Sequence, residues 1–218
     1  MNKKESPTVT FEQTDFFAKS EELNYELRPF VTQGIFPMIQ HPFLYSVPYF
    51  EIMNPQINRM YEQKKMLIQK AKKEKNWNQF VFLYERPYRL EAFVSIQNYL
   101  KPKEYWELLA DIWVDSENIW QNKATYKKLF SKHRDYKKYF MNSKERKYFD
   151  SLPEQIVAYR GYVKGQNRRG FSYTLDKKQA EWFAKRFDND GSVAKIVVPK
   201  SRVLAYTNRR GEKELIIL

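Results

Sequence analysis

The pattern of apolar and polar positions divides the chain into three textures. Residues 1 to about 20 sustain no period, and a loosely ordered segment is expected there. Next, Pro29, Pro37, Pro42, Pro48 and Pro55 fall among closely spaced aromatic residues. Proline removes a backbone donor and restricts the residue before it, so long helices are not expected here. Residues 1–53 read as an extended, proline- and aromatic-rich wrapper, for which a peptide-binding role stays open.

From Asn54 the period becomes helical. Asn54 is a candidate cap and Pro55 suits a first helical position. Ile57, Met60, Tyr61, Met66, Leu67 and Ala71 fall near a 3.6-residue period. The lysines between Lys64 and Lys75 read as a solvated helix face or as a stripe for nucleic acid. Further helices are expected over Trp77–Glu85, Pro87–Leu100 and Pro102–Val114. Another is expected from a Ser116 cap through Trp120 to Leu129, and a short one from Ser143 ending before Pro153. Trp106, Trp113 and Trp120 are spaced by seven residues, which predicts a buried seam; a base-stacking platform is the alternative. Residues 54–152 thus read as a helical region.

After Pro153 the texture changes again. Gln155–Arg160 reads as a strand, Lys164–Arg169 as a basic loop and Gly170–Tyr173 as a short strand. Asp176 caps a helix with Gln179 three residues on, and Ala180, Phe183, Ala184 and Phe187 form its apolar face. Asn189-Asp190-Gly191 is a turn. Val193–Val198, Val203–Tyr206 and Lys213–Leu218 are strands, the last preceded by a turn at Asn208–Gly211. Residues 153–218 form a strand-rich unit too small to complete its own core without the preceding helices. The expected class is α+β, a mostly helical N-terminal region packed on a small mixed β core.

Composition narrows the chemistry. Apolar residues make up 42% of the chain and aromatics 17%, which is a folding composition. There are no cysteines, which excludes disulfides, thiolate metal sites and a cysteine nucleophile. His41 and His133 are the only imidazoles, and neither has a partner at ligand spacing, so no metal is expected. No apolar run approaches the roughly 18 residues of a membrane span. The N-terminus lacks the apolar stretch of a signal peptide. A cytoplasmic setting is expected, either in the chain's own cell or in one into which it is delivered. Net charge is +13, with more than twice the charge density in the last 68 residues, and a basic surface of this kind attracts phosphates.

Three pieces in the last third carry candidate chemistry: Tyr159-Arg160-Gly161, Phe171-Ser172-Tyr173-Thr174 and Glu212-Lys213-Glu214. The Arg160 guanidinium, at a strand end, suits phosphates or ribose hydroxyls. Gly161 leaves its backbone open to a flat ring or amide. Ser172 and Thr174 share a strand face, where a hydroxyl can position a carboxylate. Glu212 and Glu214 share a face if the last segment is a strand. Two such carboxylates can divide labour, one stabilising positive charge while the other takes a proton. No dinucleotide-binding glycine fingerprint, P-loop or nucleophile elbow is present.

The order and content of these pieces resemble the mono-ADP-ribosyltransferase superfamily, in its arginine–serine–glutamate branch, over about residues 155–218. That branch has an aromatic-Arg-Gly strand, an aromatic-Ser-x-Ser/Thr strand followed by a helix, and a Glu-x-Glu pair before the last strand. The second hydroxyl here is Thr174, and the loop Thr207–Gly211 before the glutamates is short and basic. The resemblance implies an ADP-ribosyltransferase-like core that takes NAD as substrate. It implies that Arg160 lies near the NAD phosphates, with Gly161 holding the nicotinamide amide. Thr174 and Phe187 would complete the NAD site. Glu214 would favour an oxocarbenium-like transition state, Ser172 would orient Glu214, and Glu212 would activate the acceptor. Glutamate at 212 favours an arginine acceptor in a protein; glutamine there would favour a base. A nucleic-acid-directed transferase or binder, and a non-catalytic module of the same fold, remain open alternatives. So do the target, the oligomeric state, and service as a toxin, effector or phage factor.

Overall fold

The computed structural model describes residues 21–132, 134–163, 167–186 and 191–218. Phe187, Asn189, Asp190, His133, the expected loose segment 1–20 and residues 164–166 of the basic loop lie outside the described residues. The chain divides into two compact units, Met1–Lys75 and Asn76–Leu218. The expected divisions at residues 53 and 152 are therefore drawn differently, because the first long helix packs within the first unit and the later helices fold together with the sheet.

In the first unit, strands β1 (Met38–His41) and β2 (Leu44–Pro48) form an antiparallel hairpin. Helix α1 (Asn54–Lys73) follows a 3-10 turn at Glu51–Met53. Asn54 does not cap α1. Its backbone is already helical because the 3-10 turn runs straight into the helix, and its amide donates to Glu21 O at 2.9 Å. Ile57, Tyr61, Ile68 and Ala71 are buried, with Ile57 and Tyr61 in a cluster with Leu23, Leu27, Ile39 and Leu44. Met60, Met66 and Leu67 are exposed, contrary to the expected apolar face. Met66 lies about 180° round the helix from Ile57, so the loose period overcounted the face. His41 is buried among Phe30, Phe43 and Tyr61, and its Nδ1 accepts from Phe43 N at 3.0 Å. Burial lowers its pKa from the ordinary imidazole value, and these contacts give it a packing role.

The second unit begins with helices α2 (Trp77–Leu83), α3 (Arg89–Ile96), α4 (Pro102–Asp115), α5 (Lys123–Phe130) and α6 (Ser143–Asp150). Two caps differ from expectation. Ser116 closes α4 instead of opening the next helix, its buried hydroxyl lying 2.7 Å from Ile112 O and 2.8 Å from the Tyr126 hydroxyl. Asn142, not Ser143, caps α6 in a reciprocal box with Glu145. Trp106 and Trp113 are fully buried, as a seam predicts, but Trp120 is 41% exposed. The chain leaves α4 at Ser116 and does not become helical again until Lys123, which takes Trp120 off the helical period.

The rest of the unit is one antiparallel sheet of β3 (Gln155–Val163), β4 (Ser172–Thr174), β5 (Gly191–Pro199), β6 (Val203–Thr207) and β7 (Glu214–Ile217), in the order β5-β3-β4-β7-β6. All four pairings are antiparallel, so the β core is not mixed in strand direction among the described residues. Helix α7 (Lys177–Lys185) starts at Asp176, whose carboxylate accepts from Lys178 N and Gln179 N. Ala180 and Ala184 are buried and face β3 at Gly161. A Cβ on Gly161 would lie 2.1 Å from Ala180 O and 2.6 Å from Ala184 N, so glycine is what lets helix and strand meet.

Candidate functional site

The site forms where β3 and β4 part. Their ladder pairs Tyr159 with Thr174, while β3 continues to Val163 alongside β5. Arg160 spans the opening. Its Nη1 donates to Ser172 O at 2.5 Å and its Nε to Asn167 O at 3.1 Å. Burial is the first influence on this guanidinium and lowers its pKa, while Tyr173 and Glu214 act in the opposite direction. Gly170 lies flat against it; a Cβ there would come 2.2 Å from Nη2. This braced guanidinium forms part of the floor of a pocket of about 470 Å³. A volume of that size is typical of small-molecule and cofactor sites.

Glu214 sits at the start of β7, paired with Thr174 on β4 and with Thr207 on β6, so its backbone is fixed from both sides. Its side chain is 3% exposed. Trp113 Nε1 donates to Oε1 at 3.1 Å and Arg210 Nη2 to Oε2 at 3.3 Å, and Ser172 lines the same pocket. Burial pushes the Glu214 pKa up; Arg210, the nearby Ser172 hydroxyl and the Trp113 indole oppose this, and Glu212 adds to it.

Glu212 lies outside the strand, so the two carboxylates do not share a strand face as expected. Lys213 between them has φ 48°, a left-handed turn that is uncommon for a residue with a side chain. Arg210 Nη2 still reaches both, at 3.1 Å from Glu212 Oε2 and 3.3 Å from Glu214 Oε2. Thr174 is buried; its hydroxyl donates to Glu212 O at 2.7 Å and accepts from Asp176 N at 3.0 Å. Thr174 thereby pins the glutamate turn to the start of α7. Arg160, Gly161, Ser172, Thr174, Glu212 and Glu214 all line the one pocket. Phe187 lies outside the described residues.

The opposite wall comes from the helical region, which sequence reasoning left without a role in the site. Ser116, Glu117, Ile119, Trp120 and Lys123 line it. Lys123 Nζ donates to Arg169 O at 2.6 Å and lies 4.8 Å from the Trp120 ring centroid and 5.2 Å from that of Phe171. Behind this wall, Trp113 is held by Tyr126 and Phe130, with ring centroids 5.0 and 5.5 Å away. Arg209 and Arg210 were legible only as turn residues. Arg209 is clamped by Asp111 at 2.6 Å, Glu145 at 3.5 Å and Phe140 O at 3.2 Å. Arg210 sits four residues before Glu214, a spacing that could have flagged the pair.

The described residues contain no group of three or more histidine, cysteine, aspartate or glutamate side chains that could hold a metal. Among them no helix is long and apolar enough to cross a membrane. Comparison with protein-family models, with curated proteins and with solved structures finds no match to this chain.

Proposed function

We propose that this protein is a mono-ADP-ribosyltransferase that moves ADP-ribose from NAD to a macromolecular acceptor, an arginine of a protein. One observation carries the reading: Arg160, Ser172, Glu212 and Glu214 converge on one pocket. Ser172 and Glu214 are 42 residues apart in the sequence, and their shared place in the pocket supports the reading in which Ser172 orients Glu214.

In this reading NAD lies in the pocket with its phosphates towards Arg160, which has donors beyond the two spent on Ser172 O and Asn167 O. The nicotinamide lies against β3 at Gly161. As the nicotinamide–ribose bond lengthens, positive charge grows on the ribose. Glu214, itself buried and held by Trp113 and Arg210, stabilises that charge, with Ser172 beside it to orient the carboxylate. Glu212 is less buried, at 21% exposure of its side chain, and takes the proton of the attacking acceptor.

A nucleic-acid acceptor is a second reading. The exposed Trp120 ring beside Lys123 favours it, since such a pair suits a stacked base and a phosphate. Incubation with labelled NAD and a cell lysate separates the two. Protease-sensitive label on a macromolecule is expected, and nuclease-sensitive label would select the second reading. No label and no released nicotinamide would leave a non-catalytic binding module.

A further inference from the structure

Arg210 puts a guanidinium between the two carboxylates that the mechanism uses. Its Nη2 lies 3.1 Å from Glu212 and 3.3 Å from Glu214, and its Nη1 donates to Val114 O at 3.3 Å. Its side chain remains 32% exposed and lines the pocket. Position is not left to a free loop, because the neighbouring Arg209 is clamped to Asp111, Glu145 and Phe140 O. Gly211 N donates to Asn208 O at 3.0 Å and Lys213 N to Asn208 Oδ1 at 2.9 Å, which closes the turn around Arg210. An arginine acceptor from another protein would have to bring the same group to the same two carboxylates.

We propose that Arg210 is itself an acceptor, a self-modification site that takes ADP-ribose within its own chain; this rests on the function proposed above. The bond between nicotinamide and the anomeric carbon of its ribose breaks, and its electron pair leaves with neutral nicotinamide. A terminal nitrogen of Arg210 forms the new bond to that carbon. The proton lost from this nitrogen passes to Glu212, and the guanidinium keeps its positive charge. No oxidant, reductant or metal is needed. Holding the acceptor beside the carboxylates makes the step intramolecular, and groups held in this way react far faster than free ones. Arg209 is the internal control, because Asp111, Glu145 and a carbonyl hold its guanidinium away from the pocket that Arg210 lines.

The test is to incubate the purified full chain with NAD and no added acceptor, and to follow nicotinamide release, intact mass and modified peptides together. The expected result is a gain of one ADP-ribosyl group on Arg210, at least about tenfold above the level on Arg209 or any exposed arginine. Its rate should not depend on protein concentration. An Arg210→Lys chain that melts like the wild type should lose this adduct. When Glu214→Gln chains, told apart by mass, are mixed with wild type, their Arg210 should stay unmodified. Nicotinamide release with an unmodified Arg210, with label spread evenly over arginines, or with label on the Glu214→Gln chain overturns this inference and leaves the transferase reading standing. Absence of nicotinamide release overturns that reading, and this inference with it.

Discussion

The two walls of the pocket were built by different kinds of sequence. The strand wall, β3 with β4 and the glutamate turn, is written in short polar motifs. Arg160, Gly161, Ser172, Glu212 and Glu214 stand out because arginine, glycine and paired acids are unusual at strand ends. The helical wall is written in residues that look like core. Trp113 is buried among Tyr126 and Phe130 as any seam tryptophan would be, yet its indole N–H is spent on Glu214, 101 residues away. A side chain can thus belong to the packing and to the site at once, and only the second role escapes a reading by period.

If both walls make the site, damage to either should reach it. The largest stability loss is expected from Glu145→Ala on the helical side. This buried carboxylate accepts from Asn142 N, from the Thr207 hydroxyl at 2.8 Å and from Asn208 N at 3.1 Å, with Arg209 3.5 Å away. Its removal leaves the Thr207 hydroxyl and two backbone amides without their acceptor and takes one of two carboxylates from Arg209, which should cost about 3–5 kcal/mol in denaturant unfolding. A loss near that of a surface substitution would mean the glutamate loop is not anchored by the helices.

Trp113→Phe comes next and addresses catalysis directly. It keeps the ring packing and removes one hydrogen bond to a charged group, which contributes about 1.5–3 kcal/mol. The expected reading is a fall of roughly 10- to 100-fold in NAD turnover with a smaller change in melting temperature. The pH profile sharpens the point. In the proposed reaction Glu214 acts ionised, and burial holds its pKa above the usual carboxylate value. Activity should therefore fall as pH drops through that raised pKa, and losing the Trp113 donor should move the acid limb higher. An unmoved limb would reduce Trp113 to packing. The same shift bears on stability. The folded state binds this proton more tightly than the unfolded chain, so Glu214 makes folding less favourable as pH rises from the unfolded to the folded pKa.

Gly161→Ala tests the strand wall. The added methyl would meet Ala180 O and Ala184 N, both backbone atoms, and overpacking of this kind costs about 1–3 kcal/mol. Thermal unfolding with and without NAD would reveal the loss. Unchanged stability would contradict the close packing of α7 on β3. The smallest effect is expected from Asn142→Ala, which removes the α6 cap at about 1 kcal/mol and should barely alter NAD turnover.

Local physics explains how much could be read in advance. The strands of the last third, the Asp176 cap and the helix after Pro102 follow from period and capping chemistry, and each stands within a few residues of its expected place. The cap at Ser116 was misplaced because a serine after a helix and a serine before one look alike. Its partner, Tyr126, was set by tertiary packing. Glu212 and Glu214 were expected on a strand face. The left-handed Lys213 breaks that alternation, and the turn is instead tied by Asn208 and Thr174. Trp120 was assigned to a seam by spacing alone, but a seam needs one continuous helix and the chain interrupts it between Asp115 and Lys123.

The proposed transferase requires that Glu214, held by Trp113 from the helical wall and Arg210 from the strand wall, break the nicotinamide–ribose bond of NAD. The most direct measurement is nicotinamide release by the wild-type chain and by Glu214→Gln, with matched unfolding curves to confirm that both are folded. Release by the wild type is expected, with a loss of order 10²–10³, about 3–4 kcal/mol, in the variant. Equal release by both proteins, or none by the wild type, would contradict it.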